Sequence, residues 1–377
     1  MKELVYLDYA ATTPLDPRVV SEMHRVLSDD FGNPSSIHAS GRKAKMIVEK
    51  SRKIIANYMN ASIGDIFFTS GATESCHTIL HSSVESLNIK RIISSEVEHH
   101  CTLHTLEELK NNNPNVEITL LPPSDTGAIN LEELESELKI EKGPTLVSLI
   151  HGNNELGSLN DLKAIGNLCE KYKALFMVDA AQTFCKYPIK VDELNIDFLT
   201  ASAHKFFGPK GTGLMFVNSN TMIKPTFFGG SQERNMRAGT ENVHGIAGFA
   251  EATRIAIQEM EDRYNKLWEI KSYAIDELSK IEDVKFNCSI DKSDSCAHIL
   301  SVSFPDSPKS DLLIFNLDIA GICASSGSAC ASGVEKDSHV LEAIKHDSKR
   351  KTIRFSFSHE TNMKEIDYLV DTIKSIL

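Results

Sequence analysis

No stretch of the 377-residue chain approaches the run of about 18 apolar residues that a membrane-spanning helix needs. The opening Met1-Lys2-Glu3-Leu4-Val5-Tyr6-Leu7-Asp8-Tyr9 is too short and too acidic for a secretory core. A cytoplasmic protein without membrane contact is expected. Cysteine is sparse: eight residues, at 76, 101, 169, 185, 288, 296, 323 and 330, with no Cys-x-x-Cys. That density excludes a disulfide scaffold and predicts mostly small buried thiols in a reduced compartment. Basic charge is in deficit, 40 Lys and Arg against 52 Asp and Glu for a net −12, which disfavours non-specific nucleic-acid or anionic-membrane binding. A local basic site for an anionic ligand stays open. No Walker pattern is present, because Gly208-Pro209-Lys210-Gly211-Thr212-Gly213 has the wrong spacing. No clear Gly-x-Gly-x-x-Gly joins a strand to a helix, so a nicotinamide reading is weak. Repeats and low-complexity linkers are absent.

What remains is an ordinary soluble composition, 41% hydrophobic and 24% charged, long enough for a large core and roughly two domains. Short apolar runs at Ile66–Thr69, Arg91–Ser94, Val116–Leu121, Leu146–Ile150, Leu175–Val178, Asp197–Thr200 and Gly213–Val217 read as strands. Helical stretches such as Leu131–Ile140 and Asp161–Tyr172 lie between them. This alternation predicts an α/β domain around a mostly parallel sheet. From Glu241 to Ile281 apolar residues recur at helical spacing, and Phe249–Ile281 holds no Gly or Pro, so a long helix is expected to leave the first domain. A smaller domain follows, with a strand at Ile299–Phe304, a helix near Asp311–Leu317, a Gly/Ser-rich loop and a strand at Thr352–Phe357.

Several strand ends deliver polar residues. Ser70-Gly71-Ala72-Thr73-Glu74-Ser75 can hold a phosphate at a helix N-terminus, or can be a plain cap. Asp179 stands where ligands bind open α/β sheets, or caps the next turn, and Gln182 follows it. Ser202-Ala203-His204-Lys205 is the setting expected of a Schiff-base lysine, although most lysines are simply solvated. Glu98-His99-His100 and His151-Gly152-Asn153-Asn154-Glu155-Leu156-Gly157 follow two further strands. Zinc on His99, His100 and His104 lacks a third ligand at a recognisable spacing, and no metal site is predicted. Ala324-Ser325-Ser326-Gly327-Ser328-Ala329-Cys330-Ala331-Ser332-Gly333 surrounds one cysteine with small residues, which predicts a mobile loop and an exposed thiol. An incidental cysteine on a flexible turn is the alternative. Cys323, beside Ile322, reads as core.

Across nearly its whole length the chain resembles the cysteine desulfurases, in the class V aminotransferase group of pyridoxal-phosphate enzymes. The landmarks are Tyr6-Leu7-Asp8-Tyr9-Ala10-Ala11-Thr12-Thr13-Pro14, Phe31-Gly32-Asn33-Pro34-Ser35-Ser36-Ile37-His38 and Phe68-Thr69-Ser70-Gly71-Ala72-Thr73-Glu74-Ser75. Next come Glu98-His99, the 151–157 segment, Val178-Asp179-Ala180-Ala181-Gln182 and Ser202-Ala203-His204-Lys205. Gly229-Gly230-Ser231-Gln232-Glu233-Arg234, Arg237-Ala238-Gly239-Thr240, Ser325-Ser326-Gly327-Ser328-Ala329-Cys330 and Ile353-Arg354-Phe355-Ser356 complete the order.

The resemblance implies the type I fold of these transferases. Its large domain, residues 15–255, would carry the central sheet; a smaller α+β domain, residues 1–14 and 256–377, would carry the cysteine loop at about 322–335. It also implies roles. Lys205 would carry pyridoxal 5′-phosphate, Asp179 would pair with the ring nitrogen, and His99 would stack on the ring and help move protons. Ala72, Thr73, Ser202 and His204 would hold the phosphate, joined by Thr240 from the second subunit of a homodimer. Asn154 and Gln182 would contact substrate or the ring hydroxyl, and Arg354 would take the carboxylate of L-cysteine. Cys330 would accept the sulfur as a persulfide, leaving alanine, and pass it to an iron–sulfur scaffold or a tRNA-thiolation protein.

Three departures stand out. His77 and Cys76 stand where many relatives have Asn and Asp, and Ser358-His359 replaces a common Gly-Arg. The last motif lies close to Leu377, so the longer tail of the housekeeping iron–sulfur type, which docks the cluster scaffold, is expected to be missing. Alternatives are a selenocysteine lyase, another lyase or aminotransferase of the group, or a non-catalytic sulfur carrier with a relict site.

Overall fold

A computed structural model describes residues 4–326 and 338–377. In chain order the strands among them are β1 (Val5–Tyr6), β2 (Ile66–Thr69), β3 (Arg91–Ser95), β4 (Glu117–Leu121), β5 (Thr145–Ile150), β6 (Leu175–Asp179), β7 (Phe198–Ser202), β8 (Gly213–Val217), β9 (Lys285–Phe286), β10 (Ile299–Phe304), β11 (Ile322–Cys323), β12 (Ser325–Ser326) and β13 (Lys351–Ser356).

Seven of these form the large sheet, in the order β2-β8-β7-β6-β5-β3-β4. All run parallel except β8, which is antiparallel to both of its neighbours. Helices cover both faces, so the inner strands are near-continuous apolar runs rather than alternating ones. Alternation survives as a choice between two cores. Phe68, Val147, Leu149, Phe176 and Val178 face one core, together with the helices Ala39–Met59 and Leu162–Tyr172. Phe67, Leu146 and Met177 face the other, under the helices Ala72–Ser86 and His100–Asn112.

The second sheet is antiparallel, in the order β12-β13-β10-β9. Its core gathers Leu300, Val302, Ile353 and Phe355 with Leu369 of the helix Met363–Ile376. That helix opens on a full capping box, Asn362 with Glu365. β1 pairs in parallel with β11, and Val5 and Leu7 enter the same core. The expected long helix is Val243–Leu278, 36 residues capped by Asn242. At 1.5 Å per residue it runs about 54 Å. Its first turns bury Ile246, Phe249 and Ile255 in the large-sheet core, and its last turns bury Trp268, Ile270 and Ala274 in the second core.

Two local expectations change. The helix near 311–317 is a pair of short helices, Pro308–Asp311 and Leu313–Ile319, broken at Leu312 where ψ is 5°. Cys323 is half-buried rather than core, because strand alternation gives the inward position to Ile322 and turns Cys323 outward. Cys330 lies outside the described residues.

Candidate active site

The sheet register sets the site. Thr69 pairs with Gly213, Gly213 with Ser202, Thr200 with Asp179 and Asp179 with Ile150, which aligns the carboxyl ends of β2, β7, β6 and β5. The loops leaving that edge carry the polar residues singled out in the sequence, at the crevice where open α/β sheets bind ligands.

At the β2 end the helix Ala72–Ser86 begins at Gly71, which offers no side-chain cap. Its first-turn N–H groups therefore point at an uncapped position suited to an anion. The Ala72 N–H donates to Ser202 Oγ at 2.8 Å, joining two of the expected phosphate residues. Gly213 makes the approach possible, since a Cβ there would lie 2.4 Å from the Gly71 Cα. Thr73 is exposed on the first turn. Glu74 accepts from the Ser70 N–H and from Arg237 Nε, each at 2.9 Å. Burial pushes its carboxyl up, but the Arg237 and Ser70 hydrogen bonds outweigh this and hold it below the usual range. Arg237 thus ties the 237–240 segment to the helix Ala72–Ser86, and Thr240 is exposed on the wall of a cleft shared with Ser70 and Thr212. His204 hydrogen-bonds Thr12 Oγ1 at 3.2 Å. Burial, then the charge of Lys205, pulls its pKa down to about 4, so His204 is a neutral hydrogen-bonding group near pH 7.

Asp179 forms the floor. It is buried at the end of β6, and its Oδ1 accepts the Ala181 N–H at 2.8 Å. Burial and the nearby Cys101 push it up to about 6, against the pull of the Ala181 N–H, His99 and Lys205. The charges of His99 and Lys205 therefore both act on Asp179. His99 caps the helix His100–Asn112, its Nδ1 accepting the Cys101 N–H at 3.1 Å. That bond leaves Nε2 as the proton-bearing atom of the neutral ring. Hydrogen bonding to Cys101 raises the His99 pKa against the effect of burial. Lys205 Nζ donates to the carbonyls of Ala10 and Ala11 at 2.7 and 2.9 Å, so the N-terminal segment walls the site.

The opposite end of the site is built on β13. Arg354 donates from Nη1 to the Asn154 carbonyl at 2.9 Å and from Nη2 to Asp8 Oδ1 at 2.8 Å. Its Nε is buried without a partner among the described residues. A buried guanidinium donor in that state fits a carboxylate ligand. Gln182 is engaged locally, with Nε2 donating to the Ala10 carbonyl at 2.9 Å and Oε1 facing His298 Nε2 at 3.2 Å. It fixes the segment that Lys205 contacts.

Other participants escaped the sequence reading. Lys186 donates to the carbonyls of Gln182 and Lys205, at 2.8 and 2.7 Å, and thereby positions both. Burial and the adjacent Lys205 lower its pKa to about 7. Its signal was its place four residues after Gln182, on the same turn. Arg52 and Glu233 form a buried bidentate pair at 2.8 and 2.8 Å, and Glu233 also takes the Phe68 N–H at 2.8 Å. No local pattern announces a pair 181 residues apart. The ligand atoms of Cys76, Cys101 and Asp179 lie within 4.8 Å of one another. Hydrogen bonding from Cys76, and then His99, makes Cys101 the more acidic thiol of that pair.

An amine, a buried acid short of a cationic partner and an uncapped helix N-terminus together suit a cofactor with an aldehyde, a basic ring nitrogen and a phosphate. Lys205, Asp179 and the Gly71–Thr73 turn would take those three groups of pyridoxal phosphate.

Fold and site define an α/β enzyme of the transferase type, and the comparisons agree. Residues 5–369 match the aminotransferase class-V family, and the chain belongs to that family, within its cysteine desulfurase branch. The cysteine desulfurase IscS of Dictyoglomus turgidum is 39% identical over 100% of this chain and 95% of its own length. The putative cysteine desulfurase IscS 1 of Bacillus subtilis is 37% identical over 99% of this chain and 100% of its own. Among solved structures, a NifS-like protein superimposes with a TM-score of 0.91 at 33% identity, covering 99% of both chains. SspA in complex with cysteine gives 0.80 at 31% identity, over 94% of this chain and 98% of that one. No helix among the described residues is long and apolar enough to cross a membrane.

Proposed function

We propose that this enzyme is a pyridoxal-phosphate-dependent L-cysteine desulfurase that passes sulfur through Cys330 to an acceptor protein. One observation carries the reading: the buried carboxyl of Asp179 sits within electrostatic reach of both Lys205 and His99 at the carboxyl edge of the sheet. Pyridoxal phosphate, when bound, supplies the electron sink for chemistry next to an amino acid's amine. Lys205 would hold it covalently through Nζ, and Asp179 would keep its ring nitrogen protonated. Ala72, Thr73, Ser202 and His204 would hold its phosphate, with Thr240 reaching in from a second copy of the chain.

The chain's own groups then divide the work. Arg354 orients the substrate carboxylate with its Nε, while Asp8 and the Asn154 carbonyl keep the guanidinium plane fixed. Asn154 would contact the substrate from the same loop, and Gln182 would face the ring hydroxyl with the second N–H of Nε2, the first being held by the Ala10 carbonyl. His99 holds the mobile proton at Nε2. The Cys330 thiolate attacks the substrate sulfur; an S–S bond forms as the substrate Cβ–S bond breaks, and its electron pair stays with carbon. A proton completes alanine, and the enzyme keeps a persulfide.

The same proposal divides the chain into a large domain, 15–255, and a small one formed by 1–14 and 256–377. The acceptor is a sulfur-carrying partner such as an iron–sulfur scaffold or a tRNA-thiolation protein, and the setting is the cytoplasm. The test is production of sulfide and alanine from L-cysteine by the purified protein with a reductant. Lys205→Ala should lose the visible absorption of bound cofactor. Cys330→Ala should keep that absorption and its response to L-cysteine while losing protein persulfide and sulfide. Sulfide release at the normal rate by Cys330→Ala would overturn the role of that thiol.

A further inference from the structure

Two thiols beside the reaction centre take no part in the chemistry proposed for it. Cys76 stands on the second turn of the helix Ala72–Ser86, and Cys101 on the first turn of the helix His100–Asn112. Strand β6 ends on Asp179 next to both. Two Sγ atoms and one carboxylate oxygen thus all lie within 4.8 Å of one another, and no other three His, Cys, Asp or Glu side chains among the described residues converge in this way.

We propose that Cys76, Cys101 and Asp179 form a binding site for a thiophilic divalent cation, of the zinc or cobalt class, which the chain offers when pyridoxal phosphate is not bound. The donor set fits such an ion: two thiolates select it over magnesium or calcium, and a carboxylate is a third ligand it accepts. The spacing fits as well. Zinc–sulfur bonds of about 2.3 Å and zinc–oxygen bonds of about 2.0–2.2 Å put tetrahedral ligand atoms roughly 3.6–3.8 Å apart. The observed triangle therefore needs to contract by no more than about 1.2 Å. Its corners are held from outside. Cys76 Sγ lies 3.4 Å from Oγ1 of Thr200, the register partner of Asp179 on β7, and Asp179 Oδ1 accepts the Ala181 N–H at 2.8 Å. Outer hydrogen bonds of this kind orient metal ligands. Charge also closes: the three ligands carry three negative charges against the ion's two, and Lys205 and His99 both act on Asp179 to offset the remainder. Cys76 and Asp179 are buried but Cys101 is only half-buried, so the ion enters on the Cys101 side, releases the two thiol protons and takes water as its fourth ligand. A consequence rests on the cofactor reading given above. With Oδ1 engaged by Ala181, Asp179 has Oδ2 left, and the ring nitrogen and the ion compete for it.

The test uses the full chain carrying Cys330→Ala, so that the loop thiol cannot contribute, both loaded with pyridoxal phosphate and stripped of it. Cobalt(II) is titrated by absorption, and zinc(II) against a chromophoric chelator. The stripped protein should bind one equivalent per chain and show a thiolate-to-cobalt charge-transfer band. Adding Cys101→Ala or Cys76→Ala should weaken binding at least tenfold. Cys101 is the less buried of the two, so Cys101→Ala is the variant expected to fold as the parent, checked by circular dichroism and by reloading of the cofactor. A missing charge-transfer band, or equal affinity in the parent and in Cys101→Ala, overturns the site. Loading with pyridoxal phosphate should lower the metal affinity at least tenfold, and zinc should slow reloading of the stripped protein. A cysteine-dependent site whose affinity ignores the cofactor would uphold the metal site and overturn the pairing of Asp179 with the ring nitrogen, so the two failures are told apart.

Discussion

Replacing Arg354 with lysine tests the substrate end of the site. Arg354 is 5% exposed and already spends two of its nitrogens within the protein, on the Asn154 carbonyl and on Asp8. What it offers a ligand is the remaining fork edge that includes Nε, the atom without a partner among the described residues. Lysine keeps the charge but presents one ammonium at a single point, and it must choose between Asp8, the Asn154 carbonyl and the ligand. At least one charge-assisted hydrogen bond to the substrate carboxylate is then lost, about 1.5–3 kcal/mol. That corresponds to a rise in KM of roughly 10- to 150-fold. The bond serves the ground state and transition state alike, so kcat should fall much less. The assay is sulfide production over a range of L-cysteine concentrations, paired with the dissociation constant of L-alanine, which has the same carboxylate and no sulfur. Both constants should rise together. A KM within twofold of wild type, in a protein that binds cofactor normally, would show that the carboxylate goes elsewhere.

Glu233→Ala strands the buried Arg52 guanidinium and should cost about 3–5 kcal/mol, read as a lower urea midpoint; an unchanged midpoint contradicts the buried pairing. Gly213→Ala drives a methyl into the Gly71 backbone, 2.4 Å from its Cα, and should reduce cofactor occupancy after dialysis while the far-ultraviolet spectrum is kept; full occupancy would show that the turn can yield. His151 is buried beside Thr183, and burial depresses its pKa to about 3. The unfolded chain therefore takes up its proton first, near pH 6.5, and stability falls as pH drops from there towards 3, by at most about 1.4 kcal/mol per pH unit. His151→Gln should flatten the urea midpoint against pH in that window, and an equally steep profile would assign the acid sensitivity to other groups.

The strands of the large sheet were legible because buried parallel strands are short, apolar and bounded by turns, as in Leu175–Asp179. The motif residues were legible because they follow those strands directly. The reversed direction of β8 was not, since Gly213–Val217 reads the same in either sense. Partnerships across long sequence distances were equally silent: Arg52 with Glu233, Arg354 with Asp8, His100 with His339. Nothing near any of these residues encodes its partner; the fold supplies it. Lys186 shows a different limit. Its role depends on how a turn delivers Nζ to two carbonyls, which spacing hints at and only coordinates decide.

The N-terminal strand has a consequence for synthesis. Val5 and Leu7 pack among Ile353, Phe355 and Phe357, Asp8 bridges to Ser356, and the Ala10 N–H donates to Ser356 Oγ. A ribosome delivers Ala10 346 positions before its partner Ser356. The large-sheet core draws on residues between Val19 and Ala256 and can close while the chain is still growing. The opening segment must wait, solvated, until β13 emerges. Because Asp8 steadies Arg354, and Ala10 and Ala11 hold Lys205, the reaction centre assembles last. A nascent chain stalled before β13 would therefore carry a folded large-sheet core and lack Arg354, and with it the proposed carboxylate site, so it could not turn over cysteine before its release.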